Sequence, residues 1–113
     1  MRQPQAVRHP LPATEGDLPF RQMADVLRLL GNANRLMILN ILAQSPQSVT
    51  TIHQLINEHT NLSQSSLSQH LALLRAYKFV DFEKQGQRAT YFICNDRVSD
   101  LFHALESFNQ ADN

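Results

Sequence analysis

The chain has 113 residues, 42% of them hydrophobic, with ten Lys and Arg against ten Asp and Glu and a single cysteine. That length suits one small domain with a limited core, which an oligomer would help to stabilise. No run approaches the ~20 apolar residues of a membrane span, no signal-peptide pattern opens the chain, and a lone Cys94 cannot close an internal disulfide. The expected setting is a reducing cytoplasm, and the zero net charge excludes a protein that holds nucleic acid by bulk positive charge alone.

Residues 1–17 carry Pro4, Pro10 and Pro12 with little periodic apolar content, which predicts a flexible arm whose Arg2, Arg8 and His9 are available to phosphates. One folded unit is expected from 18 to 110. Its first helix spans 18–30, with Asp17 as cap, Pro19 in the first turn, Gly31 as stop, and Phe20, Met23, Leu27 and Leu30 on one face. A second helix over 33–43, capped by Asn32, is apolar nearly all round through Leu36, Ile38, Leu39, Ile41 and Leu42, and should be the central core helix. Ser45-Pro46 ends it. A third helix over 51–58 buries Ile52, Leu55 and Ile56.

The stretch 62–77 is the most informative. On a helix capped by Ser63, Leu67, Leu71 and Leu74 fall on one side at the i, i+4, i+7 spacing of a buried stripe. Ser65, Ser68, Gln69 and Ala72 fall on the other. An exposed helix face is normally charged, whereas this one is short, uncharged and rich in hydroxyls and amides. Such a face can sink into a groove and exchange hydrogen bonds with base edges. A helix, a short turn and this polar helix form a helix-turn-helix, with 64–76 as the DNA recognition helix. An ordinary amphipathic helix with a bland surface fits the same spacing.

Two β-rich runs, 79–84 and 89–94, flank Gln85-Gly86-Gln87-Arg88 and predict a hairpin. Val80 and Phe82 alternate with Asp81 and Glu83, as in a half-buried strand. The last helix starts near Asn95 or Asp96 and strings Val98, Leu101, Phe102, Leu105 and Phe108 along one stripe. One small core cannot easily cover that stripe and the Phe20/Met23/Leu27 face together. The two are expected to meet across a two-fold axis, making Phe20, Met23, Leu27, Leu101, Leu105 and Phe108 the dimer interface; packing within one subunit is the alternative. Charge is distributed to match: from 60 to 95, Arg75, Lys78, Lys84 and Arg88 outnumber Asp81 and Glu83, whereas beyond 95 Asp96, Asp100, Glu106 and Asp112 face only Arg97.

Three segments together resemble the ArsR/SmtB repressors: Leu62-Ser-Gln-Ser-Ser-Leu-Ser-Gln-His-Leu-Ala-Leu-Leu-Arg75, Lys84-Gln-Gly-Gln-Arg88 followed by Tyr91, and Leu30-Gly-Asn-Ala-Asn-Arg-Leu-Met-Ile-Leu39. The resemblance covers roughly residues 20 to 110; the stretch from Val49 to Ser63 is a few residues longer than usual, which bears on the third helix. It implies a mainly α winged helix-turn-helix of about five helices in the order α-α-α-α-β-β-α, with a β-hairpin wing. It also implies a homodimeric repressor on a palindromic double-stranded DNA operator, joined through its first and last helices. Ser65, Ser68 and Gln69 match the family's DNA-contacting positions, with Gln64 and Ser66 beside them at the helix start. Gln suits adenine N6/N7, and Ser suits base or phosphate. For His70, packing and a phosphate contact both fit. Lys84 and Arg88 flank the wing turn and suit backbone or minor groove, or are a solvated hairpin tip.

The family's usual sensors are not retained. At the metal positions of the last helix stand Asn95, Arg97, Phe108 and Ala111, and no cysteine lies on the helix before the recognition helix. The dithiol pair of the persulfide- and oxidant-sensing members would fall near Asn40 and Gln110, both amides here. His103 with Asp100 or Glu106, at i, i+3, is a candidate metal pair, although such pairs usually decorate a surface, and Cys94 reads as a packed, inert thiol rather than a redox sensor. No metal and no cofactor are expected, and the inducer is unknown. No glycine-rich phosphate loop, nucleophile elbow or paired carboxylates point to an enzyme. The rival reading is a winged-helix protein-interaction module without DNA binding.

Overall fold

The computed structural model describes residues 19–110; the expected arm and Asp17 lie outside the described residues. Among these residues everything buried is apolar, and the core runs through Leu29, Leu30, Ile38, Leu39, Leu42, Ile52, Ile56, Leu62, Leu67, Leu71, Leu74, Phe79, Val80 and Val98.

Helix α1 (Phe20–Leu30) starts after Pro19, whose carbonyl accepts the Met23 N–H, and stops at Gly31, whose N–H returns to the Leu27 carbonyl at 2.8 Å. A Cβ at Gly31 would stand 3.1 Å from that oxygen, which favours glycine at the stop. The helix buries Leu29 and Leu30, with Val26 packed beside them, so Leu30 belongs to the inner face rather than with Phe20, Met23 and Leu27. Asn32 caps α2 (Ala33–Gln44) by accepting the Arg35 N–H. This helix packs against α1, α3 (Val49–Ile56), α4 (Gln64–Ala76), α5 (Val98–Gln110) and strand β3 (Arg88–Ile93), the central position its apolar girth predicts.

The structure adds an element absent from the expected order. Strand β1 (Gln47–Ser48) follows α2 and pairs antiparallel with β3 (Arg88–Ile93), Gln47 opposite Tyr91 and Ser48 opposite Thr90. Two residues cannot show a period-2 pattern, so nothing in the sequence marks them as a strand. Helix α3 (Val49–Ile56) therefore begins earlier than 51, capped by the Ser48 hydroxyl on the Thr51 N–H, and ends at Ile56 instead of 58. The extra residues of this region are loop, not helix. Leu55 is only half-buried, while Ile52 and Ile56 are fully covered.

Helix α4 (Gln64–Ala76) has the expected bounds, and β2 (Val80–Gln85) and β3 form the hairpin in a sheet of order β1-β3-β2. The hairpin turn is two residues, with Gln85 opposite Arg88 and Gly86 at φ +66°, a conformation that favours glycine there. Helix α5 (Val98–Gln110) starts two to three residues late because Asn95 forms the turn before it, its side chain accepting the Arg97 N–H and its carbonyl the Val98 N–H.

The exit from α4 is strained. Lys78 has φ +66°, its N–H donates to the Arg75 carbonyl, and the Phe79 N–H reaches back to Leu74, a Schellman cap with lysine where glycine is preferred. Lys78→Gly should stabilise the fold by ~0.5–1 kcal/mol, raising Tm by a few degrees in thermal denaturation. A lowered Tm would contradict the strain.

Candidate nucleic-acid interface

Leu67, Leu71 and Leu74 are at most 1% exposed, which locks the roll of α4. Gln64, Ser65, Ser68, Gln69, Ala72 and Ala76 are all left exposed. Ser66 differs from the others: it is half-buried, its N–H donates to Ser63 Oγ at 3.0 Å, its own hydroxyl oxygen accepts from the Ser63 hydroxyl at 2.9 Å, and its work is capping. Leu73, four residues beyond Gln69 and 43% exposed, extends the same face with an apolar side chain suited to a thymine methyl. Its position off the Leu67/Leu71/Leu74 stripe was the signal for it. His70 is half-buried at the edge, its Nδ1 3.1 Å from Arg35 Nη1, and burial first and Arg35 second hold its pKa below the usual 6.5.

The turn before α4 is held by α3. The Asn57 side chain accepts the Leu62 N–H at 2.8 Å and donates to the Leu62 carbonyl at 3.2 Å, where His53 Nε2 also donates at 2.8 Å. Asn57 thus does for Leu62 what a paired strand would. Asn57→Ala strips Leu62 of a donor and an acceptor partner and should cost ~1–3 kcal/mol in denaturant unfolding; a loss below the error of that measurement would refute the clamp.

At its far end α4 is tied to the wing. Arg75 Nε lies 2.9 Å from Asp81 Oδ1, its guanidinium carbon stands 4.5 Å from the centre of the Phe82 ring, and that ring lies 5.2 Å from Tyr91. The Phe82 N–H and then Arg75 hold the Asp81 carboxyl below the usual range. Arg75 is therefore engaged with the protein, and Lys84 and Arg88, both exposed, are the cations of the wing, with Glu83 exposed beside Lys84. Strand β1 sets the wing beside the start of α3. The resulting polar cleft, about 610 Å³, is lined by Ser48, Thr50 and Thr51 on one side and Gln85, Gln87 and Arg88 on the other. The sequence alone does not reveal this cleft because it depends on β1.

The exposed apolar residues separate from this surface. Phe20, Met23 and Leu27 on α1 are 41, 51 and 68% exposed, and Leu105 and Phe108 on α5 are 37 and 74% exposed. Leu101 instead packs partly on the subunit's own core with Val98 and Phe102, so only part of the α5 stripe is free. Cys94 is exposed rather than packed; its Sγ donates to the Lys78 carbonyl, and burial of the sulfur followed by Asp81 pushes its pKa up, which disfavours a thiolate. Among the described residues no three His, Cys, Asp or Glu side chains gather as a metal site would need, and no single helix is long and apolar enough to cross a membrane.

Comparison with known proteins agrees with this geometry. Residues 32–81 match the family model described as "Bacterial regulatory protein, arsR family". The chain is 35% identical over 86 residues to the HTH-type transcriptional regulator YgaV of Escherichia coli K12, covering 76% of this chain and 84% of that protein. It is 31% identical over 96 residues to the biofilm growth-associated repressor of Agrobacterium fabrum C58, covering 85% and 77%. Among solved structures, it superimposes at a TM-score of 0.67 and 25% identity on a homodimeric winged helix-turn-helix DNA-binding domain from Mycobacterium bovis, covering 88% of this chain and 91% of that one. Helix order, wing and sequence likeness converge: this chain belongs to the ArsR family of bacterial regulatory proteins.

Proposed function

We propose that the protein is a homodimeric transcriptional repressor that places two copies of α4 in neighbouring major grooves of a palindromic operator, with half-sites about one DNA turn (~10 base pairs) apart. One observation carries this reading: the first turns of α4 present Gln64, Ser65, Ser68 and Gln69 outward, uncharged and able to hydrogen-bond, while Leu67, Leu71 and Leu74 are sealed in the core. Gln69, Ser65 and Ser68 read base edges, with Gln64 at the helix start and Leu73 beside them. Ser66 contributes through the cap, and His70 lies at the margin. Lys84 and Arg88 hold the backbone or minor groove from the wing, and Ser48, Thr50 and Thr51 line the polar cleft next to Arg88. The exposed apolar faces of α1 and α5 join the protomers.

The rival, a winged-helix module that binds proteins only, draws on the chain's zero net charge. Salt separates the two. With DNA recovered from a random pool, four wing cations per dimer predict that log K falls with log salt at a slope of about −4, roughly a hundredfold between ~50 and ~200 mM. A pool that yields no preferred sequence, or a complex indifferent to salt, would favour the rival.

A further inference from the structure

Arg35, in the first turn of α2, touches three elements. Its backbone N–H is held by the Asn32 cap, its Nε donates to the Leu29 carbonyl in the last turn of α1, and its Nη1 lies 3.1 Å from His70 Nδ1 on α4. A guanidinium has no acceptor, so Nδ1 must be the bare nitrogen and the ring proton must sit on Nε2. Protonating His70 would put an N–H where the acceptor is and a second positive charge against the guanidinium. The α1 end of this chain of contacts lies on the helix whose opposite side carries the apolar face assigned to the dimer, and the α4 end borders the face assigned to DNA.

We infer that Arg35 is a positioning residue for DNA binding: through a neutral His70 it fixes α4 against α2 and the end of α1. This rests on the reading of α4 as the DNA-facing helix. The other charged groups on the elements around His70 do not compete for it. Arg75 of α4 and Asp81 of β2 pair with each other, as do Asp25 and Arg28 of α1, and Arg21, Lys78, Glu83 and Lys84 are exposed and form no ion pair with it. Burial and Arg35 both favour the neutral ring, so the link is intact at neutral pH and is lost as pH falls through the depressed pKa of His70.

The sign of the acid response separates this role from a direct phosphate contact, since an imidazolium at a phosphate would strengthen binding in acid. The experiment measures affinity for the selected DNA from pH ~7.5 to ~5.5 with wild type, H70N, H70L, R35M and H70L/R35M, and checks dimer mass throughout. H70N keeps an acceptor near the Nδ1 position but cannot titrate. It should bind within about threefold of wild type at neutral pH and lack the wild-type decline in acid. H70L and R35M should each lose about tenfold at neutral pH while remaining dimeric, and the double variant little more than either alone. Full affinity in H70L, additive losses, or acid-strengthened binding that H70N abolishes would overturn the link. A wild type that selects no DNA sinks the reading of α4 itself, whereas normal selection with an indifferent H70L sinks only the Arg35–His70 link.

Discussion

Phe108→Asp should yield a folded monomer that no longer holds its operator. Phe108 is 74% exposed on the protomer, so the substitution removes little from the subunit's own core, and the helical signal should persist. At a two-fold interface each protomer supplies the same patch, so one substitution installs two carboxylates in an apolar contact that cannot solvate them. The consequence for DNA is larger than the interface alone. A tethered pair of recognition helices binds the second half-site intramolecularly, and losing that advantage costs ~10²–10⁴ in affinity. Sedimentation and operator titration together check it. A variant that stays dimeric, or a monomer with wild-type affinity, would place the interface elsewhere. Leu105→Asp should act in the same direction, while Leu101→Asp should also destabilise the fold, because Leu101 packs partly on the core.

Gln69→Ala should cost about 1–3 kcal/mol of specific binding, and the loss should be confined to one base pair in each half-site. Gln69 is exposed in the middle of α4, and no hydrogen bond holds it to the protein among the described residues. Truncation therefore leaves folding alone and removes only what the amide does for a partner. A bidentate amide suits adenine, so re-selection from a random pool should show that one position relaxing while the rest persist. Uniformly weaker binding with unchanged preference would mean that Gln69 contacts phosphate; unchanged affinity would mean that it contacts nothing.

Most of this architecture was legible because its signals are periodic or chemically distinctive. The leucine spacing of α4, the Ser63 cap, the Asn32 cap and the glycine turn of the wing each act within a few residues, and the structure shows each in place. What escaped depends on contacts between distant segments. Strand β1 exists only because β3 lies beside it, and with it came the early start of α3 and the cleft facing Arg88. Ser66 looked like its neighbours in sequence, yet its hydroxyl is committed to Ser63. Arg75 counted as free charge until Asp81 and Phe82 were seen to hold it. The α5 stripe looked uniform, but its first turns serve the subunit's own core and only Leu105 and Phe108 stay open.

The sharpest test is to scan the selected operator with 7-deazapurines, which delete the major-groove N7 acceptor one base at a time and leave the minor groove untouched. Two short clusters of sensitive purines about one helical turn apart, one position of which goes silent in Q69A, is the outcome expected if α4 lies in the major groove. Binding indifferent to every N7 deletion would place that helix outside the groove.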